Sequence, residues 1–217
     1  MVVSRRGPRF GPPRRRYALI TVLALTAILL APRAFAQRVR PLDPLTPRET
    51  QLAQRLARAD ARVRDLIGNR RSVTGSVDFV ALKPEPPDSF PVRSAVVEFY
   101  VYDGDYGVRA LVDFRRQAVT EVDRIDREPI PFATEEIVTA KRLAMQDTSV
   151  RQKLGAEAER FRVDWLGVTA RDEHDPCFKH RCLQLLFSRR VRGRDLYLTR
   201  PAVVVDLTTQ TVRMEEP

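Results

Sequence analysis

The chain has 217 residues, 43% of them hydrophobic and 30% charged, which fits one large or two small globular domains and excludes a disordered or membrane-embedded protein. The formal charge of +10 suggests nucleic acid, but residues 1–36 hold seven of the arginines and no acidic residue. The other 31 basic and 28 acidic groups leave only +3, a mixed surface that gives no ground for a nucleic-acid partner.

The N-terminal segment reads as an export signal. Met1–Arg16 is basic, Tyr17–Ala31 is an apolar run of 15 residues, and Ala34-Phe35-Ala36 supplies the small-x-small pattern before a cut at Gln37. The run is short for a membrane span, so contact with the membrane is expected to be transient; a retained N-terminal anchor is the alternative. Arg14-Arg15-Arg16-Tyr17-Ala18-Leu19 is similar to a twin-arginine motif, and an ordinary secretory signal is the competing reading. No Cys lies beside the cleavage site, which removes a lipoprotein. The exported protein is expected in the periplasm or outside the cell.

The remainder repeats itself. Residues 49–68 align without a gap on 136–155, with identities at Glu49/Glu136, Ala53/Ala140, Arg55/Arg142, Leu56/Leu143, Ala57/Ala144, Asp60/Asp147, Val63/Val150, Arg64/Arg151 and Gly68/Gly155. Later, Val112-Asp113-Phe114 answers Val205-Asp206-Leu207, followed by Gln117/Gln210 and Val119/Val212.

In chain order, Thr46-Pro47-Arg48-Glu49 forms a capping box that opens a helix, with Leu52, Leu56 and Ala59 on its apolar face and Arg55 and Arg58 outward. Asp60 caps a short helix stopped at Gly68. Strands are predicted over Val77–Leu82, Ala95–Tyr102 and Gly107–Phe114, split by the Pro-rich loop Lys83–Pro91 and by an Asp103-Gly104 hairpin turn. Pro129-Ile130-Pro131 marks the boundary between units. Thr134 is the expected cap of the second long helix, and Asp147 and Gly155 bound its short successor. Phe161–Trp165, Cys182–Arg190, Ala202–Leu207 and Thr211–Met214 are the strands that follow. The fold class is therefore α+β: helix on antiparallel sheet, twice.

These stretches carry a family resemblance. PLDPLTPRE (41–49) and RSAVVEFYVYDGDYGVRALVDF (93–114) resemble the second N-terminal domain of copper-containing amine oxidases. PIPFATEEIVTAKRLAMQDTSVRQKL (129–154), VDWLGV (163–168) and YLTRPAVVVDL (197–207) resemble the third. The resemblance implies two tandem cystatin-like α+β domains, over 42–128 and 131–217. It also departs from the family. The sequence ends at Pro217 without the catalytic β-sandwich, holds two His where copper needs three, and places its single Asn, Asn69, before Arg70 rather than before a quinone-forming Tyr. Neither amine oxidation nor copper nor quinone carries over, so the expectation is no enzyme, no cofactor and no catalytic residue.

One cluster bears chemistry. His174, Cys177, His180 and Cys182 fall within nine residues. Two thiolates and two imidazoles could complete a zinc or copper(I) shell, although the spacing matches no standard motif. The competing reading is a Cys177–Cys182 disulfide stapling a loop, as two Cys in an exported chain favour pairing. Asp103-Gly104-Asp105 suits a turn better than calcium, and Asp172–Asp175 suits a solvated loop better than acid–base machinery. Tyr100, Tyr102 and Tyr106 are expected to pack across a hairpin, and Trp165 to sit in the core. The function expected is an exported, non-catalytic interaction or accessory protein. Its partner would be a separately encoded amine-oxidase-like subunit, another exported protein, or a second copy of the chain. The alternative is a small exported copper or zinc carrier using the His/Cys cluster; a cystatin-like inhibitor rests on fold analogy alone.

Overall fold

A computed structural model describes residues 42–82, 92–126 and 128–215. The loop Lys83–Pro91 and the signal residues Ala34, Ala36 and Gln37 lie outside the described residues. The chain divides into Met1–Val39 and the compact unit Arg40–Pro217, to which everything below belongs.

Local capping starts each long helix. In α1 (Pro47–Ala59) the Glu49 amide donates to Thr46 Oγ1, while Glu49 Oε2 accepts from the Thr46 amide at 2.8 Å. Asp60 Oδ1 then accepts from the Arg62 amide at 2.9 Å and opens α2 (Ala61–Ile67). Gly68, at φ +60°, stops it in a backbone region that side chains disfavour. The second half repeats the pattern in α3 (Thr134–Gln146) and α4 (Thr148–Leu154), where Asp147 caps α4 and Gly155, at φ +69°, ends it. The cap of α3 is Ala133, not Thr134. Lacking a hydroxyl, Ala133 relies on Glu136, whose Oε2 accepts its amide at 2.8 Å.

The strands make two antiparallel meanders. The first sheet is ordered β1 (Ser72–Leu82), β2 (Val92–Val101), β3 (Tyr106–Asp113), β4 (Ala118–Ile125). The second is ordered β5 (Arg162–Val168), β6 (Cys182–Val191), β7 (Arg194–Asp206), β8 (Thr211–Glu215). Strand β4 has no counterpart among the predicted elements. It alternates Glu121, Asp123 and Arg124 with Val119 and Val122, and such a polar edge lacks a strong apolar signal. β1 starts five residues before Val77, with a bulge between Thr74 and Ser76 that contains Gly75. β7 starts eight residues before Ala202 because its register with β6 jumps between Leu198 and Val203, where Pro201 owes no amide to the ladder.

Helix and sheet meet through small side chains. Ala53, Ala57 and Val63 in the first half, and Ala140, Ala144 and Val150 in the second, are buried to 0–1% exposure. Leu52 and Leu56 are half-buried and Ala59 is exposed, so the inner face of α1 lies one residue away from the face expected. Alanine lets the helix sit close to the sheet, whose inner sides offer Val97, Phe99, Val108 and Val112, or Leu183, Leu185, Phe187 and Val205.

The paired V-D-[FL] motifs are equivalent hairpin turns. Asp113 Oδ1 accepts from the amides of Arg115 and Arg116, and Asp206 Oδ1 from those of Thr208 and Thr209. Gln117 (φ +50°) and Gln210 (φ +58°) then take the left-handed conformation that returns the chain. At the Asp103-Gly104 turn it is Asp105, at φ +50°, that does so, after a short 3₁₀ turn over Tyr102–Gly104.

Candidate functional site: the cleft between the two halves

The capping glutamates do more than start helices. Arg93, at the head of β2, reaches Glu49 Oε1 with Nε at 2.7 Å and Oε2 with Nη2 at 2.9 Å. Its guanidinium also donates to the carbonyls of Asp43 (2.6 Å) and Pro44 (3.0 Å). This arginine holds the Glu49 carboxyl at about 2, below the usual carboxylate range; the Thr46 amide and hydroxyl assist and burial opposes. In the second half Arg181, just before β6, reaches Glu136 Oε1 at 2.6 Å and Oε2 at 2.9 Å. It donates to the carbonyls of Ile130 (3.1 Å) and Pro131 (2.8 Å), the positions equivalent to 43 and 44. One device, built twice, ties helix start, incoming chain and second strand together.

The two copies differ in their surroundings. The Arg93 and Glu49 side chains are 14% and 20% exposed, against 5% and 3% for Arg181 and Glu136. The hairpin of the first half covers the second pair. Tyr102 Oη donates to Glu136 Oε1 at 2.5 Å, and the Arg181 guanidinium lies 4.2 Å from the Tyr100 ring and 3.9 Å from Phe132. Arg71 stacks on Tyr102 at 4.0 Å and donates from Nη2 to the carbonyls of Leu207 and Thr208 in the β7–β8 turn. Tyr100 and Tyr102 meet edge to face at 5.1 Å. Burial, reinforced by Asp105 and Glu136 respectively, pushes both phenols above their ordinary value.

Beside this clasp opens a cleft of about 900 Å³. One wall is the end of the first sheet with Asp105, Asp126 and Glu128; the other is the end of β5 and the loop carrying Phe178, Lys179 and His180. His180 Nδ1 lies 2.6 Å from Asp206 Oδ2. Burial raises the Asp206 carboxyl, but the hydrogen bonds from the Thr209 hydroxyl, His180 and the 208 and 209 amides outweigh it and leave the group below its ordinary value. An aspartate-held imidazole can exchange protons or donate a hydrogen bond to a ligand. The His180 amide donates to the Cys177 carbonyl at 3.0 Å, and among the described residues no serine, threonine or cysteine side chain hydrogen-bonds to the imidazole.

The four residues of the His/Cys cluster are not brought together as ligands. Cys177 and Cys182 are joined in a disulfide, with Cα atoms 5.9 Å apart, which occupies both sulfurs. The His174 side chain is 88% exposed, and His180 faces Asp206. Among the described residues no group of three His, Cys, Asp or Glu is placed to hold a metal. Asp172 and Asp175 accept the amides of His174 and Cys177, each at 2.8 Å, so these carboxylates shape the loop. Asp103 similarly accepts the Arg71 amide. Trp165 is 37% exposed at the margin of its sheet, in edge-to-face contact with Phe132, and does not occupy the core position expected. Sequence reasoning missed Arg93, Arg181 and Asp206 as site residues. The available signal was the paired VD motif, together with one arginine per unit facing each capping glutamate.

The fold is thus a duplicated α+β unit in which two helices pack on a four-stranded meander. No family model and no curated protein matches the sequence. Among solved structures the chain is similar in fold to a copper-containing benzylamine oxidase from Hansenula polymorpha, with a TM-score of 0.53 at 18% identity. The match covers 82% of this chain and 30% of that one, so the chain spans less than a third of the oxidase. Among the described residues no helix is long and apolar enough to cross a membrane.

Proposed function

We propose that the chain is an exported, non-catalytic accessory module of two tandem cystatin-like domains, and that its cleft binds another exported protein. An amine-oxidase-like subunit is the first candidate for that partner. The observation that carries this reading is the overlap: four-fifths of the chain follows the fold of under a third of a much larger oxidase. The cleft agrees with it. Its charged wall residues Arg181 and His180 are committed to Glu136 and Asp206, which suits a surface that is recognised more than one that reacts. Export rests on the basic, apolar and Ala34-Phe35-Ala36 series at the N-terminus, with a disulfide suited to an oxidising compartment.

The test is to express the full chain with a C-terminal tag in its own host and capture it from the exported fraction. The mature N-terminus is expected near Gln37, with a specific protein retained. Phe178→Ala with Lys179→Glu, both on exposed positions of the cleft wall, should reduce that retention by roughly tenfold. An unprocessed chain in the cytoplasm, or capture no different from an untagged control, overturns the reading.

A further inference from the structure

Each sheet leaves two edges, and three of the four are guarded against further pairing. β1 bulges at Gly75, where Ile130 and Pro131 lie against it. β4 is studded with Glu121, Asp123 and Arg124, and β8 is five residues long with Arg213 and Glu215 paired across its end. β5 has no bulge, and its two charges, Arg162 and Asp164, are of opposite sign. It pairs with β6 without a register break, contains no proline, and reads Arg-Val-Asp-Trp-Leu-Gly-Val. Trp165 and Leu166 on it are 37% and 52% exposed, and no described strand pairs with its other side.

We propose that β5 is a dimerisation edge, pairing antiparallel with β5 of a second copy about a two-fold axis through Val163 to join two sheets into one of eight strands. The proposal rests on the interaction-module reading and names one partner for it. An isologous interface needs a self-complementary patch, and this register supplies one. Residues 162 and 164 share the outer face of the sheet, so Arg162 of each copy stands opposite Asp164 of the other, twice. On the inner face the two Val163 side chains stand opposite each other, flanked by Trp165 of each copy. Moving the axis to Asp164 would set that carboxylate against itself, which fixes the register by repulsion.

Sedimentation velocity on protein purified from cells expressing the full chain, over a wide concentration range, reads the outcome. A reversible dimer is expected. Asp164→Arg alone, or Arg162→Asp alone, should weaken it by roughly tenfold or more through like charges facing each other. The double exchange, Arg162→Asp with Asp164→Arg, should restore it. Circular dichroism and unfolding midpoints confirm that each variant is folded. A wild-type monomer at every concentration, single exchanges without effect, or a double exchange that fails to restore the dimer overturns the proposal. A monomer leaves capture of a different exported protein standing, and failed capture leaves the dimer standing, so the two ideas fail separately.

Discussion

Replacing Arg181 with Ala is expected to lower the unfolding free energy by about 3–5 kcal/mol, against about 1–2 kcal/mol for Arg93→Ala. Both arginines make the same contacts: two bonds to a capping glutamate and two to backbone carbonyls. What separates them is water. The Glu136 side chain is 3% exposed, beneath Tyr102 and beside Phe132, so losing Arg181 strands a carboxylate where solvent cannot replace the guanidinium. Glu49 is 20% exposed, and water recovers part of what Arg93 supplied. Glu136→Gln with Arg181→Met should recover part of the loss, because it removes the stranded charge but leaves the Ile130 and Pro131 carbonyls without their donor. Urea unfolding followed by the fluorescence of Trp165, the single tryptophan, reads all three variants.

The second large effect is expected at Gly75. A Cβ there would lie 2.5 Å from the carbonyl oxygen of Pro131 and 2.6 Å from Ile130 Cγ2. The backbone of 130–131 cannot retreat, because Arg181 holds both carbonyls. Gly75→Ala should therefore cost about 3 kcal/mol, the upper end for overpacking. Gly107→Ala is the internal comparison. Within 3 Å its Cβ would meet side-chain atoms only, Ile130 Cδ1 at 2.5 Å and Cγ1 at 2.7 Å, so the buried Ile130 has to change rotamer, and about 2 kcal/mol is expected. Equal losses at the two sites would show that the 130–131 segment yields as easily as a side chain.

What could be read from the sequence was local. Thr46–Glu49, Asp60, Asp147, Gly68 and Gly155 act within one helical turn, and each does in the fold what its residue type dictates. The VD motifs were visible because a turn needs its Asp and its left-handed residue at fixed spacing. The inner face of α1 was misplaced because leucine outranks alanine in any apolar count, whereas close helix–sheet approach selects Ala53 and Ala57. β4 escaped because an edge strand protects itself with charge. The site was hidden for a different reason. Arg93 lies 44 residues from Glu49 and Arg181 lies 45 from Glu136, a pairing that only folding reveals. The covering of one pair by Tyr100 and Tyr102 depends on how the halves meet, which no local pattern encodes.

Those contacts bind both halves into a single unit through Arg71, Tyr102 and Arg181. Scanning calorimetry of the wild-type protein tests this most directly. A single transition whose calorimetric and van't Hoff enthalpies agree is the result expected of clasped halves. Two separate transitions, or a calorimetric enthalpy roughly twice the van't Hoff value, would mean that each half melts alone and that the clasp contributes nothing.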